Sequence, residues 1–145
     1  MKIILFNDTK EYVPSNSIKK IRRAFSNIGK IPEIKIKEYI EINLIIKSKI
    51  NIIKLNRELF KKDLPTDVIS VNNPVKNSRY LGDVYICSSI IKLNAKLYNE
   101  KYNNELKRII IHGILHLLGF DHKKPFRESK EKMFNIQEKL IKYVK

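Results

Sequence analysis

The clearest pattern in the chain lies at residues 34–46, where IKIKEYIEINLII alternates apolar and charged side chains over much of its length. A period of two puts the apolar set on one face of a strand and the charged set on the other, and a run this long implies strands divided by a bend or turn. A shorter apolar run at residues 2–6 reads as a strand closed by the turn-prone Asn7 and Asp8. Residues 67–71 and 83–87 are two more short β-branched runs, and Asn73, Pro74, Asn77 and Ser78 between them have the chemistry of a loop.

Elsewhere the period lengthens. Residues 18–28 read as a helix that Ser15 or Ser17 caps and Gly29 stops. After Ser48, a candidate cap, the apolar residues Ile50, Ile52, Ile53, Leu55, Leu59 and Phe60 come close to helical spacing, with Pro65 beyond the polar end. Further helices are expected from Ser88 or Ser89 to about Tyr98, from a cap at Asn103 or Asn104 to Leu118, and over residues 127–144. This order of strands and helices implies α/β or α+β, with helices covering a small sheet. Neither a repeat nor a Gly/Ser linker marks a boundary, so residues 1–145 read as one domain, a length that buries roughly 68–70% of its unfolded surface.

Composition narrows the partners. With 30 Lys+Arg against 15 Asp+Glu, the formal net charge of +15 favours anionic partners such as nucleic acid. The same bias would follow from AT-rich coding of a chain rich in Lys, Ile and Asn, so the charge permits binding without establishing it. A hydrophobic fraction of 43% excludes a core-poor disordered chain. Cys87 is the one cysteine, which excludes an intrachain disulfide and is expected to serve as a small buried hydrophobe at a strand end. The N-terminal apolar run is too short for a signal peptide, and no run of about 18 uncharged apolar residues exists, so a soluble cytoplasmic protein with no membrane partner is expected.

All three histidines fall within HGILHLLGFDH, residues 112–122. His112 and His116 are four apart, which on a helix puts both rings on one face, one turn apart. Gly119 follows where a positive φ would end the helix, and the chain reversing there returns His122 towards the same point. Three neutral imidazoles around one zinc ion leave a fourth position for water, whose pKa falls from about 15.7 towards 7, whereas structural zinc is closed by four ligands. Nickel, copper or iron would accept the same donors. The spacing HxxxHxxGxxH is that of the metzincin peptidases, but the general-base glutamate of that motif is Gly113 here, which disfavours peptide cleavage. Phosphodiester hydrolysis relies more on the metal and on cations.

Three blocks carry a closer likeness. HGILHLLGFDH resembles the HGxLHLxGyDH signature of the YbeY endoribonucleases. Residues 55–70, LNRELFKKDLPTDVIS, resemble the family's LNxxYRxxDxPTDVLSF, and residues 81–87, LGDVYIC, resemble its GDIxIC strand. The resemblance spans essentially the whole chain. It implies an α+β (α/β-like) fold, a small mixed sheet packed with helices around a central metal-bearing helix. It implies a zinc-dependent, single-strand-specific endoribonuclease acting on ribosomal RNA, notably at the small-subunit 3′ end, and in ribosome quality control. The expected partners are single-stranded RNA, the ribosome and ribosome-associated proteins. The family's zinc ligands carry over to His112, His116 and His122, one ion per chain.

The chain departs from the family at Leu59 and Phe60, where the signature has tyrosine and arginine, and its SFP reads Ser70, Val71, Asn72. Arg57 and Lys61, one helical turn apart, are candidate phosphate contacts in place of that arginine. Asp67 and Asp83 read as turn or capping residues, and Asp121 as either an orienting partner of an imidazole or a cap. No general base or proton donor is assigned. Two other readings remain, a zinc-dependent peptidase and a ribosome-associated RNA-binding protein without catalysis.

Overall fold

The computed structural model describes residues 1–26, 40–121 and 132–144. The elements run β1 (Lys2–Asn7), α1 (Ser15–Ser26), β2 (Glu41–Ile46), α2 (Lys49–Phe60), β3 (Val68–Asn72), β4 (Tyr80–Ile86), α3 (Ser88–Leu97), α4 (Tyr102–Leu117) and α5 (Lys132–Tyr143). The four strands form a mixed sheet in the order β1-β2-β4-β3, in which β1, β2 and β4 are parallel and β3 is antiparallel to β4. This is the expected α+β arrangement.

The alternation in the sequence appears directly in β2. Ile42, Leu44 and Ile46 are fully buried, while Glu41, Asn43 and Ile45 between them are only half-buried. Residues 34–39 of that pattern, Gly29 and residues 127–131 lie outside the described residues. On the inner face, the β2 residues join Ile3, Val84 and Ile86 against Ile18, Ile21 and Phe25 of α1 and Met133, Ile136 and Leu140 of α5. Each Ile or Leu so buried contributes about 1.5–3 kcal/mol relative to exposure. Through the middle of this layer runs α4, which touches α1, α3, α5, β3 and β4 and has ten of its sixteen residues buried. On the opposite face Ile52 and Leu55 of α2 pack on Ile69, Val71, Tyr85 and Cys87, so the cysteine is the buried hydrophobe that was expected.

Helix ends follow local chemistry, with two departures. Ser48 caps α2 as its sequence suggests, its hydroxyl accepting the Asn51 N–H at 3.3 Å, and Lys61 ends the helix in the left-handed region at φ 59°. α1, however, begins at Ser15, which places Ser17 inside the helix. α4 begins at Tyr102 without an asparagine cap. The Glu100 carboxylate accepts from the Lys101 N–H at 2.7 Å and from Asn104 Nδ2 at 3.0 Å, and these two bonds hold its pKa below the usual carboxylate value. Where β4 meets β2, Glu41 opposes Tyr80 and Ile42 opposes Gly82, a bulge at Leu81. Gly82 has φ 139°, and a Cβ there would stand 2.1 Å from the Val71 carbonyl oxygen. No helix among the described residues is long and apolar enough to cross a membrane.

Candidate metal centre

His112 and His116 project from one face of α4 at half-buried positions. Their Nε2 atoms are 3.2 Å apart, with ring centroids separated by 4.7 Å and planes at 82°. Two ligands of one tetrahedral ion bound at about 2.0–2.1 Å would stand about 3.3–3.4 Å apart, so the pair fits a shared cation. Gly119 has φ 84° and ends the helix as its sequence suggests, its N–H bonded to the His116 carbonyl at 3.0 Å. Among the described residues no atom lies within 4 Å of where its Cβ would be, so the position selects glycine for its backbone angle. Asp121 Oδ1 lies 4.0 Å from His116 Nδ1. His122 falls outside the described residues, and among those described no third acidic, cysteine or histidine ligand joins the pair.

The far side of His112 is held by a residue that sequence reasoning missed. Gln137 of α5 places Oε1 2.8 Å from His112 Nδ1, and it is 1% exposed. Its sequence signal is a lone amide on the apolar stripe of Met133, Ile136 and Leu140. Beside it opens a cavity of about 470 Å³ whose lining includes Asp67, Asn94, Glu105, Arg108, His112 and Gln137. Arg108 bonds Glu138 at 2.6 Å and lies 3.7 Å from Glu105, and burial pushes the Glu105 carboxyl above its usual value despite that guanidinium. The residue before Arg108, Lys107, is buried with its ammonium on the Val144 carbonyl at 2.9 Å, and burial pulls its pKa down.

Gly113 faces the sheet. A Cβ there would lie 2.7 Å from Val84 Cγ1, 3.0 Å from Val68 Cγ2 and 3.2 Å from Ser70 Oγ, so the position that carries glutamate in the peptidase motif has no room for a side chain. Two donors on β3 tie the same helix down. Ser70 Oγ donates to the Gly113 carbonyl at 2.9 Å, and Asn72 Nδ2 donates to the Leu117 carbonyl at 3.0 Å, one turn further along. Alternate residues of a strand share a face, which brings Ser70 and Asn72 to the helix together.

The structure places Arg57 and Lys61 at the end of α2, whose apolar side lies on the other face of the sheet from α4. Arg57 donates to Asp63 Oδ1 from Nε at 3.1 Å and from a terminal nitrogen at 2.5 Å, and Lys61 is exposed. Asp67 precedes β3, where its side chain accepts from Asn94 Nδ2 at 3.0 Å. Asp83 corrects the turn-or-cap reading. It lies inside β4, which begins earlier than expected, and its carboxylate accepts from the hydroxyls of Tyr80 and Tyr85 and from Asn43 Nδ2. Burial, together with that carboxylate, pushes the pKa of both tyrosines up to about 12.

Comparison with known proteins places the chain in a family. The model of the family described as Endoribonuclease YbeY matches residues 4–145. A YbeY endoribonuclease of Thermotoga sp. (strain RQ2) is 39% identical over 117 residues, 79% of this chain and 76% of that protein. One from Sulfurovum sp. (strain NBC37-1) is 34% identical over 142 residues, 94% of this chain and 88% of its own length. The solution structure of a Thermotoga maritima protein covers 98% of this chain and 88% of its own, at a TM-score of 0.65 and 30% identity.

Proposed function

The chain belongs to the YbeY endoribonuclease family, and from that premise we propose that it hydrolyses single-stranded ribosomal RNA with one zinc ion held by His112, His116 and His122. Its place is small-subunit 3′-end maturation and ribosome quality control in the cytoplasm, in company with ribosome-associated proteins. The observation that carries the reading is the 3.2 Å approach of the two Nε2 atoms, close to the spacing of two ligands on one tetrahedral ion. Bound there, zinc supplies a Lewis acid for the scissile phosphate and lowers the pKa of water.

The chain's own groups do the rest. A formal charge of +15 draws a polyanion to the surface. Arg57 and Lys61 are the proposed phosphate contacts. The Arg57–Asp63 pair is well exposed and so worth about 0.2–1 kcal/mol, which lets a phosphate displace the carboxylate at little cost. Gly113 leaves no carboxylate beside the first histidine, which supports RNA over peptide as the substrate.

The test is cleavage of a labelled single-stranded RNA, with zinc content measured on the same sample. Wild-type protein should carry about one zinc and cut, and His116→Ala should lose both while its circular dichroism is unchanged. Zinc-free protein that cuts at the wild-type rate overturns the metal reading, and protein that binds RNA but never cuts it overturns catalysis.

A further inference from the structure

We propose that Gln137, on α5, is the positioning residue that makes His112 competent to bind a metal, by accepting the proton of Nδ1 and so leaving the Nε2 lone pair facing His116. The inference rests on the metal reading above.

An amide oxygen only accepts, so the 2.8 Å contact between Gln137 Oε1 and His112 Nδ1 requires the proton to be on Nδ1. In a neutral ring the other nitrogen then carries the lone pair, and that nitrogen is the one 3.2 Å from His116 Nε2. A neutral histidine in water favours the opposite tautomer, with the proton on Nε2, where it would block a ligand bond. Turning the Gln137 amide over would have the same effect, because an N–H facing Nδ1 forces the proton across the ring. The orientation present leaves Gln137 Nε2 buried with no hydrogen-bond partner among the described residues, so the amide sits in an apolar stripe with one half unsatisfied there and the other half on His112. A leucine or methionine would fill that place without the unsatisfied donor. What only the amide supplies is the acceptor. The neighbouring Glu138 is bonded to Arg108 of α4 at 2.6 Å, which holds this stretch of α5 against the histidine helix.

Two measurements test the assignment. In the metal-free wild-type protein, nitrogen-15 NMR at a pH where the imidazoles are neutral should show His112 protonated on Nδ1, and a spectrum of the Nε2–H form overturns the proposal. Zinc affinity, read by competition with a chromophoric chelator, should fall about 10–100-fold in Gln137→Met, which keeps the side-chain length and removes the acceptor. Gln137→Glu, which keeps an acceptor oxygen, should stay within a few-fold of wild type. A methionine variant that is folded and binds zinc as tightly as wild type refutes the role. Should that variant not fold, the glutamate variant and the wild-type tautomer still decide. Wild-type protein that takes up no zinc defeats the metal reading instead, and the tautomer measurement then judges Gln137 alone.

Discussion

Gly113 and Val84 are in contact so close that a single methyl cannot be inserted between them, since a Cβ on residue 113 would lie 2.7 Å from Val84 Cγ1. Glycine in a helix interior costs about 1 kcal/mol relative to alanine, so the residue is retained against helix propensity to let α4 lie on the sheet. Gly113→Ala should therefore destabilise the protein by about 1–3 kcal/mol in urea unfolding. Gly113→Glu, which would recreate the peptidase motif, should yield no folded protein at all. A stable, soluble Gly113→Glu variant would contradict the packing described.

Ser70 and Asn72 hold carbonyls of α4 one turn apart. Removing either donor, as Ser70→Ala or Asn72→Ala, should cost about 0.5–1.5 kcal/mol, since each leaves a carbonyl of a buried residue without its side-chain partner. Equilibrium unfolding of the two variants and the double variant reads this directly. Asn72→Pro, the residue of the family signature, should lose the bond in the same way.

Tyr80 and Tyr85 share the Asp83 carboxylate and have pKa values of about 12 against an ordinary 10.0. An acid whose folded pKa lies above its unfolded value binds its proton more tightly when folded. The stability this contributes is whole below pH 10 and is lost as pH rises from 10 through about 12. Ultraviolet titration should show two tyrosines ionising late. Asp83→Asn should bring both down without returning them to 10, because burial, the larger cause, remains.

Stripping metal with a chelator should abolish RNA cleavage and lower the melting temperature, and zinc should restore both. With free zinc at a hundred times its dissociation constant, the stabilisation amounts to about 2.7 kcal/mol. Calorimetry with and without chelator measures it, and identical melts would show that no metal binds the folded state.

Arg57→Ala and Lys61→Ala should weaken binding of single-stranded RNA without regard to sequence, each reducing the slope of log K against log salt by about 0.7. Stability should change by no more than about 0.5 kcal/mol, since both side chains are exposed. An unchanged salt slope in the double variant would remove these residues from the binding surface.

Much of this architecture was legible because its causes are local. A period of two marks β2, a serine followed by helical spacing marks the start of α2, and a glycine three residues after His116 marks the end of α4. The histidine pair was legible for the same reason, since four residues on a helix suffice to bring two rings together. Features that depend on the partner of an element were not. Periodicity says which face of a strand is buried and nothing of its neighbour, so the order β1-β2-β4-β3 could not be read. Asp83 looked like a turn residue because the strand was expected to begin with it, whereas pairing with β2 carries β4 back to Tyr80 through the bulge at Leu81. Gln137 lies 25 residues from His112, and only the docking of α5 joins them.

The enclosure of α4 bears on how the molecule meets its substrate. A helix covered on nearly every side by other elements is the last to fray, so its amides should be the slowest in the protein to exchange with deuterium. The imidazoles are mounted on this enclosed helix. Nucleic acid arriving there must do the bending, and a strand already paired in a duplex bends least.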